Sequence, residues 1–296
     1  MNRSFRRATV LVAGILALVA MLAVTAPALA AKNPKGEFAV FKECPTNNAE
    51  VEDCIIAKTE SGEFTIGKEK VPITNPITLQ GGINHFFSGE EKFFGAEKEA
   101  NTLTKAPQKV PGGLSGLIKC NEISNLIERL ACEVFFESGP LAVYATTELA
   151  APAKSVGVNT IALVTQEGTA LSLPLKVHLE NSFLGSSCFI GSSAHPIVIN
   201  FTSGTTSPPA PNKPITGKPG ELSTNEAEDI IFNKGNELVN NSYAAPGAEG
   251  CGGIFSFLID PIVDSRLGLP SAAGNNTAIL RGLLEVTTVE AVKASE

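Results

Sequence analysis

The sequence predicts a mainly β protein, an antiparallel β-sandwich or flattened barrel with two short helical insertions at about 114–136 and 254–267. Three observations carry that expectation. Short apolar runs, several of them alternating with polar residues, are punctuated by Gly, Pro and Asn turns. Helical three-and-four spacing of apolar residues is confined to the two named stretches. The regular βαβ alternation of a parallel sheet is missing.

The elements follow in chain order. Arg3, Arg6 and Arg7, the apolar run Val10 to Val24 and the exit Ala28-Leu29-Ala30 read as a secretory signal peptide over 1–30. The mature chain is then expected to begin at Ala31. A retained membrane anchor is the rival reading, and helix-breaking Pro27 with the small-residue exit argues against it. Residues 31–296 are expected to form a single disulfide-stapled β-rich domain. Glu37 to Lys42 reads as a strand buried on both faces or near an edge. Ile55–Thr59 and Glu63–Ile66 read as arms of a hairpin turning on Glu60-Ser61-Gly62. Val71–Ile73 and Ile77–Ile83 are strands that Pro72 and Pro76 confine to edges or strand starts. Phe86-Phe87 and Phe93-Phe94 flank a further hairpin turn.

From Leu114 the period changes. Leu117, Ile118, Ile123, Leu126, Ile127, Leu130, Val134 and Phe135 recur at spacings of three and four, which predicts a helix to about Phe136. Strands resume at Leu141–Leu149, Val158–Gln166 and Leu171–Glu180, then at Phe189–Ile190 and Ile197–Phe201. Residues 203–220 hold five prolines and three glycines and are expected to be an exposed, extended connection. Ala227–Phe232 and Glu237–Tyr243 read as strands, Ile254–Leu267 as a helix interrupted at Pro261, and Thr277–Val292 as a long final strand.

Charge limits the partners. Residues 1–30 contain three arginines and no acid, so the remainder carries 20 basic against 30 acidic side chains, a formal charge of −10. A surface that acidic repels phosphate backbones and anionic lipid, so nucleic acid is excluded as an expected partner. No second apolar run approaches the roughly 20 residues of a spanning helix, so no transmembrane segment is expected in the mature chain. Trp is absent and Tyr occurs twice, which weakens a sugar-stacking surface.

Six cysteines in an exported chain are read as disulfides. Proximity in sequence suggests Cys44 with Cys54, Cys120 with Cys132, and Cys188 with Cys251. Metal ligation is the alternative, but no Cys-x-x-Cys or His-x-x-x-His spacing occurs, so no metal and no cofactor is expected.

Catalytic patterns are weak. Gly113-Leu114-Ser115-Gly116 lacks the spacing of a nucleophile elbow. His178-Leu179-Glu180 resembles the start of a deaminase signature whose Pro-Cys-x-x-Cys partner is absent; in a strand, His178 and Glu180 share one face. His85 sits at a hairpin and His195 precedes Pro196 in a turn. Asp260 and Asp264 lie four apart, as an acid/base pair requires, although a solvated helix face is the simpler reading. No catalytic residue is assigned.

Phe38 to Pro45, Gln108 to Gly113, His178 to Asn181 with Gly185 to Ser192, and Gly204 to Pro214 resemble uncharacterised exported proteins of high-G+C Gram-positive bacteria. The resemblance runs through most of the mature chain. It implies a secreted bacterial protein and carries over no activity. The expected function is a secreted, non-enzymatic structural or binding protein of the cell envelope or exterior. The alternatives are a secreted hydrolase using Asp or Glu on loops, and an envelope pore or lipid-contacting protein that deploys the 114–136 helix or the Phe-rich hairpin.

Overall fold

The longest strand organises the molecule. β1 (Asp53–Ile66) pairs along nearly its whole length with β14 (Thr277–Thr288). Its other edge is shared: β3 (Ile77–Asn84) takes the first half and β2 (Glu69–Ile73) the second. Among the described residues β2 pairs with no other strand, and Pro72 is tolerated there because an edge strand can spare a ladder N–H. The structure, a computed structural model, describes residues 33–115, 123–134, 141–227 and 229–296.

The turn expected at Glu60-Ser61-Gly62 is a bulge instead. β1 runs through it with a register shift between Thr59 and Ser61, and the chain reverses at Gly67-Lys68. The runs at 227–232 and 237–243 are likewise one strand, β12 (Ile230–Asn240), shifted between Lys234 and Asn236. Both bulges fall opposite Gly282 of β14. A Cβ at position 282 would lie 1.8 Å from the Lys58 carbonyl oxygen, so only glycine lets the strands approach there.

Past β3 the sheet continues through β4 (Lys92–Gly95) and the two-residue β7 (Gly157–Val158) to β8 (Leu171–Glu180). One edge of β8 carries β6 (Tyr144–Leu149), which pairs in turn with β5 (Gln108–Lys109). Its other edge carries β10 (Ile197–Phe201) and β9 (Phe189–Ile190), and β13 (Ala248–Glu249) pairs with β9. At the far end, β11 (Glu221–Thr224) pairs with β12. The sheet is antiparallel and not closed, and among the described residues strand outweighs helix at 39% to 20%, so the fold is the mainly β, sandwich-like class read from the sequence. Strands far apart in sheet order share one core. Ile55, Leu280 and Val286 from β1 and β14 cluster with Leu173, Leu175 and Ile197 from β8 and β10.

Several local expectations are corrected. Glu37 to Lys42 is no strand; Gly36–Phe41 is a 3-10 helix whose Phe38 and Phe41, three apart, pack with Val289 and Val292. Val158–Gln166 contains α2 (Thr160–Thr165), because the Asn159 side chain accepts from the Ala162 N–H at 2.7 Å and caps a helix against β-branched propensity. The final strand stops at Thr288, whose hydroxyl caps α4 (Val289–Ala294). α3 (Ser256–Leu267) is the insertion expected at 254–267 and α1 (Leu126–Cys132) lies within the one expected at 114–136, so α2 and α4 are the additional α-helices among the described residues. Pro261 lies inside α3 without interrupting it. The hairpin read around Ser88 to Glu91 is formed by β3 and β4, with Phe86 and Phe87 in its loop and Phe93 and Phe94 on β4. The rest of the helix expected over 114–136 lies partly outside the described residues, with only a 3-10 turn at Gly113–Ser115 preceding α1.

Cys44 is bonded to Cys54 and Cys188 to Cys251, both as expected. The pairing of Cys120 with Cys132 lies outside the described residues, as does the signal segment 1–30. The Pro-rich connection is exposed from Pro209 to Pro211 but pinned at its base, where the Gly217 N–H donates to Gly204 O at 3.0 Å. Asn212 anchors its far side by donating to the carbonyls of Asn241 and Asn276, both at 3.0 Å.

Candidate functional site

Alternation along β8 sends Val177 and Leu179 inward, and they become one wall of a cavity of about 300 Å³ at one end of the molecule. Phe64 and Ile66 from the end of β1 and Val71 from β2 form a second wall. Ile259, Ile262, Val263 and Leu267 of α3 form the cover, with Phe183 and Leu184 from the β8–β9 connection beside them. A volume of about 300 Å³ lies at the lower end of small-molecule sites. The lining is almost wholly apolar. Its polar side chains are Glu69, Gln108, Thr147 and Arg266. The buried Gln108 is already satisfied: its Oε1 accepts from the Thr74 and Asn75 N–H groups and its Nε2 donates to Asn75 O and Ala106 O.

α3 is held over the cavity by its acids. Asp264 accepts from the Ala248 N–H at 2.6 Å, and Asp260 accepts from the N–H groups of Gly250 and Cys251 at 3.1 and 2.7 Å. These two residues are therefore backbone caps, neither a catalytic pair nor the solvated face that their spacing suggested. The Cys188–Cys251 bridge lies at the start of the same segment, and the Gly252 N–H donates to Leu184 O at 2.7 Å. At the other end, the Lys68 N–H donates to Leu267 O at 2.7 Å, tying the helix terminus to the β1–β2 turn.

With its carboxylates turned inward, α3 and the 3-10 turn Gly253–Phe255 that leads into it expose apolar side chains. Ile254 is 85% exposed and Phe257 71%, and Phe255, Leu258 and Ile262 are more than half exposed. No residue of α3 is buried. Ile262 and Phe183, the latter 62% exposed, both line the cavity and face solvent, so they mark its mouth. α1 also presents Leu126, Ile127 and Leu130 outward. Its segment is rooted at the cavity wall, where Gly113 and Leu114 line the space and the Leu114 N–H donates to Leu141 O.

The histidines are not brought together. His178 and Glu180 share the outward face of β8, as predicted; the imidazole stacks on Phe189 with centroids 4.6 Å apart, and its Nδ1 is 3.8 Å from Glu180. Glu180 in turn accepts from the Thr146 hydroxyl at 2.6 Å. His85 is exposed beside Glu52, and His195 lies exposed in the turn before β10. No group of three His, Cys, Asp or Glu poised for a metal occurs among the described residues.

Two carboxyls are held above their ordinary range. Asp53 is pushed up to about 6 by burial and by the charges of Glu52 and Glu290, and Glu285 is raised by burial against the opposing pull of Lys58 and Lys234. Neither lines the α3 cavity or the smaller, mostly apolar void of about 80 Å³ bordered by β1, β3, β8 and β14. Glu148 is held low: burial acts to raise it, but hydrogen bonds and charge from Lys105 and Lys176 outweigh that. Sequence reasoning missed the cavity because its walls come from segments between residues 64 and 267. The one local signal was the run from Ile254 to Leu267, apolar on nearly every side.

No family model, no curated protein and no solved structure matches this chain.

Proposed function

We propose that this chain is an exported, non-enzymatic binding protein of the bacterial cell envelope or exterior that holds a hydrophobic small molecule in the cavity beneath α3. The observation that carries the reading is the largely apolar lining of that cavity, in which the buried Gln108 side chain is already satisfied. Such a space rewards shape and apolar area, and among the described residues its lining holds no His, Cys or Ser and a single carboxylate, Glu69. Two disulfides fit an oxidising compartment, in keeping with the export signal and the resemblance to secreted bacterial proteins. The hydrolase alternative draws less support, since the carboxyls with raised pKa lie away from both apolar spaces.

Titration with the fluorophore anilinonaphthalene sulfonate tests the reading. Saturable, single-site binding is expected, and Val263→Phe, which fills the cavity from α3, is expected to abolish it while leaving the circular dichroism spectrum unchanged. Equal binding by the wild type and Val263→Phe overturns the proposal. Mass spectrometry of a solvent extract of the native protein then identifies what the cavity holds.

A further inference from the structure

We infer that the tip from Ile254 to Ile262 is a docking surface for a zwitterionic phospholipid bilayer, placing the cavity mouth against the lipid. The inference rests on the cavity reading for its purpose and on separate residues for its mechanism. The tip exposes five large apolar side chains within nine residues, led by Ile254 and Phe257. Asp260 and Asp264 point inward onto backbone amides, so the outward surface of the tip carries no negative charge in a chain where acids predominate. The cations beside its C-terminal end are the exposed Lys68 and Arg266, with the Lys68 ammonium donating to Ser265 O at 3.2 Å, and the neighbouring acids Glu69 and Glu249 lie outside the tip itself, on β2 and β13. Apolar centre and cationic flank match the acyl boundary and the phosphates of a lipid headgroup layer.

A protein partner is the poorer fit. Protein interfaces carry about one hydrogen bond per 100–200 Å² and a polar rim, whereas the side chains from Ile254 to Leu258 offer only the Ser256 hydroxyl. The acidity of the whole molecule opposes strongly anionic membranes, which is why the bilayer is zwitterionic. The cavity opens beside the tip, since Ile262 and Phe183 belong to both the mouth and the exposed surface. An apolar ligand can then pass between lipid and cavity without crossing water. The tip is held at its base by the Cys188–Cys251 bridge, so docking asks for little ordering of the chain.

Flotation of the mature protein with phosphatidylcholine vesicles tests this. The wild type is expected to rise with the vesicles, and Ile254→Asp with Phe257→Asp to reduce the floated fraction by about tenfold or more while keeping wild-type fluorophore binding. Val263→Phe is expected to lose the fluorophore and still float, so failure of docking and failure of the cavity reading are told apart. If the double variant melts early, Phe257→Asp alone carries the test, because that side chain is 71% exposed. The inference is overturned if the wild type stays with the unbound fraction, if the aspartate variants float as it does, or if light scattering finds a dimer that the same aspartates dissociate.

Discussion

Two parts of the molecule use the same parts list and reach opposite ends. On one flank, the 3-10 helix at Gly36–Phe41 and α4 lie on β1 beside the Cys44–Cys54 bridge, and their apolar residues are sealed: Phe41 is 1% exposed, with Val289 and Val292 buried next to it. At the other end, α3 lies beside the Cys188–Cys251 bridge with no residue buried and Phe257 71% exposed. The difference lies in where the polar residues go. Beside Phe41 the Glu37 carboxylate lies at the surface and accepts from the Asn225 side chain at 2.9 Å. On α3 the carboxylates face the protein, which leaves the hydrophobic side to the solvent. Apolar surface that the fold does not use is surface available to a ligand or a membrane.

The comparison is broken most forcefully at the sealed flank. Phe41→Ala is expected to cost about 3–5 kcal/mol, because it removes a fully buried ring and leaves a hole among Cys54, Val289 and Val292. Removing the bridges ranks next, as chain entropy orders them by loop length. Replacing Cys188 and Cys251, 63 residues apart, by Ala should cost about 4 kcal/mol. Replacing Cys44 and Cys54, 10 apart, should cost about 3 kcal/mol. Urea denaturation of each variant checks the ranking, and only the loss of the longer bridge should also weaken fluorophore binding, since it frees the base of α3.

Much of this contrast was hidden in the sequence for identifiable reasons. Alternation was readable wherever a strand has one dry face, as in β8 and β10. It misled where a bulge interrupts a long strand, because the polar, glycine-bearing patches at Glu60-Ser61-Gly62 and Lys234-Gly235 look like turns until β14 is laid beside them. Local capping overrode pattern at Asn159, where one side chain turned a β-branched run into α2. The two bonded cysteine pairs were legible because neighbours in sequence and glycine-rich corners favour them. Asp260 and Asp264 were read as surface residues because their partners, the amides of Ala248, Gly250 and Cys251, belong to a backbone path that spacing alone does not reveal.

A smaller and pH-dependent effect separates the flanks further. Asp53 opens β1 beside the sealed cluster, and its carboxyl titrates near 6 rather than at the ordinary 3.8 because burial, Glu52 and Glu290 disfavour its charge. A raised acid stabilises the fold below its ordinary pKa and loses that contribution as pH rises through about 6. Asp53→Asn removes the charge at nearly constant shape. At about pH 7 the variant should be more stable by about 1–2 kcal/mol, a value discounted for partial solvent screening, and at about pH 3.5 the gain should vanish. Melting temperatures across that range check the sign. A gain that persists in acid would assign the effect to packing instead.

The smallest expected effect is the sharpest test of the comparison. Ile254→Ser with Leu258→Gln removes two large apolar side chains, and by composition alone it would rank with Phe41→Ala. Ile254 is 85% exposed and Leu258 more than half exposed, so little transfer free energy is lost. Glutamine keeps the helix propensity of leucine, and the Asp260 and Asp264 caps are untouched. Stability should therefore stay within about 0.5 kcal/mol of the wild type, while solubility rises as the exposed patch shrinks. Equilibrium unfolding gives the first quantity and light scattering at increasing concentration the second. A loss above about 1 kcal/mol would mean that the outer side of α3 is packed as part of the fold, and the contrast with the Phe41 flank would then be one of degree, with no surface left over for a ligand or a membrane to use.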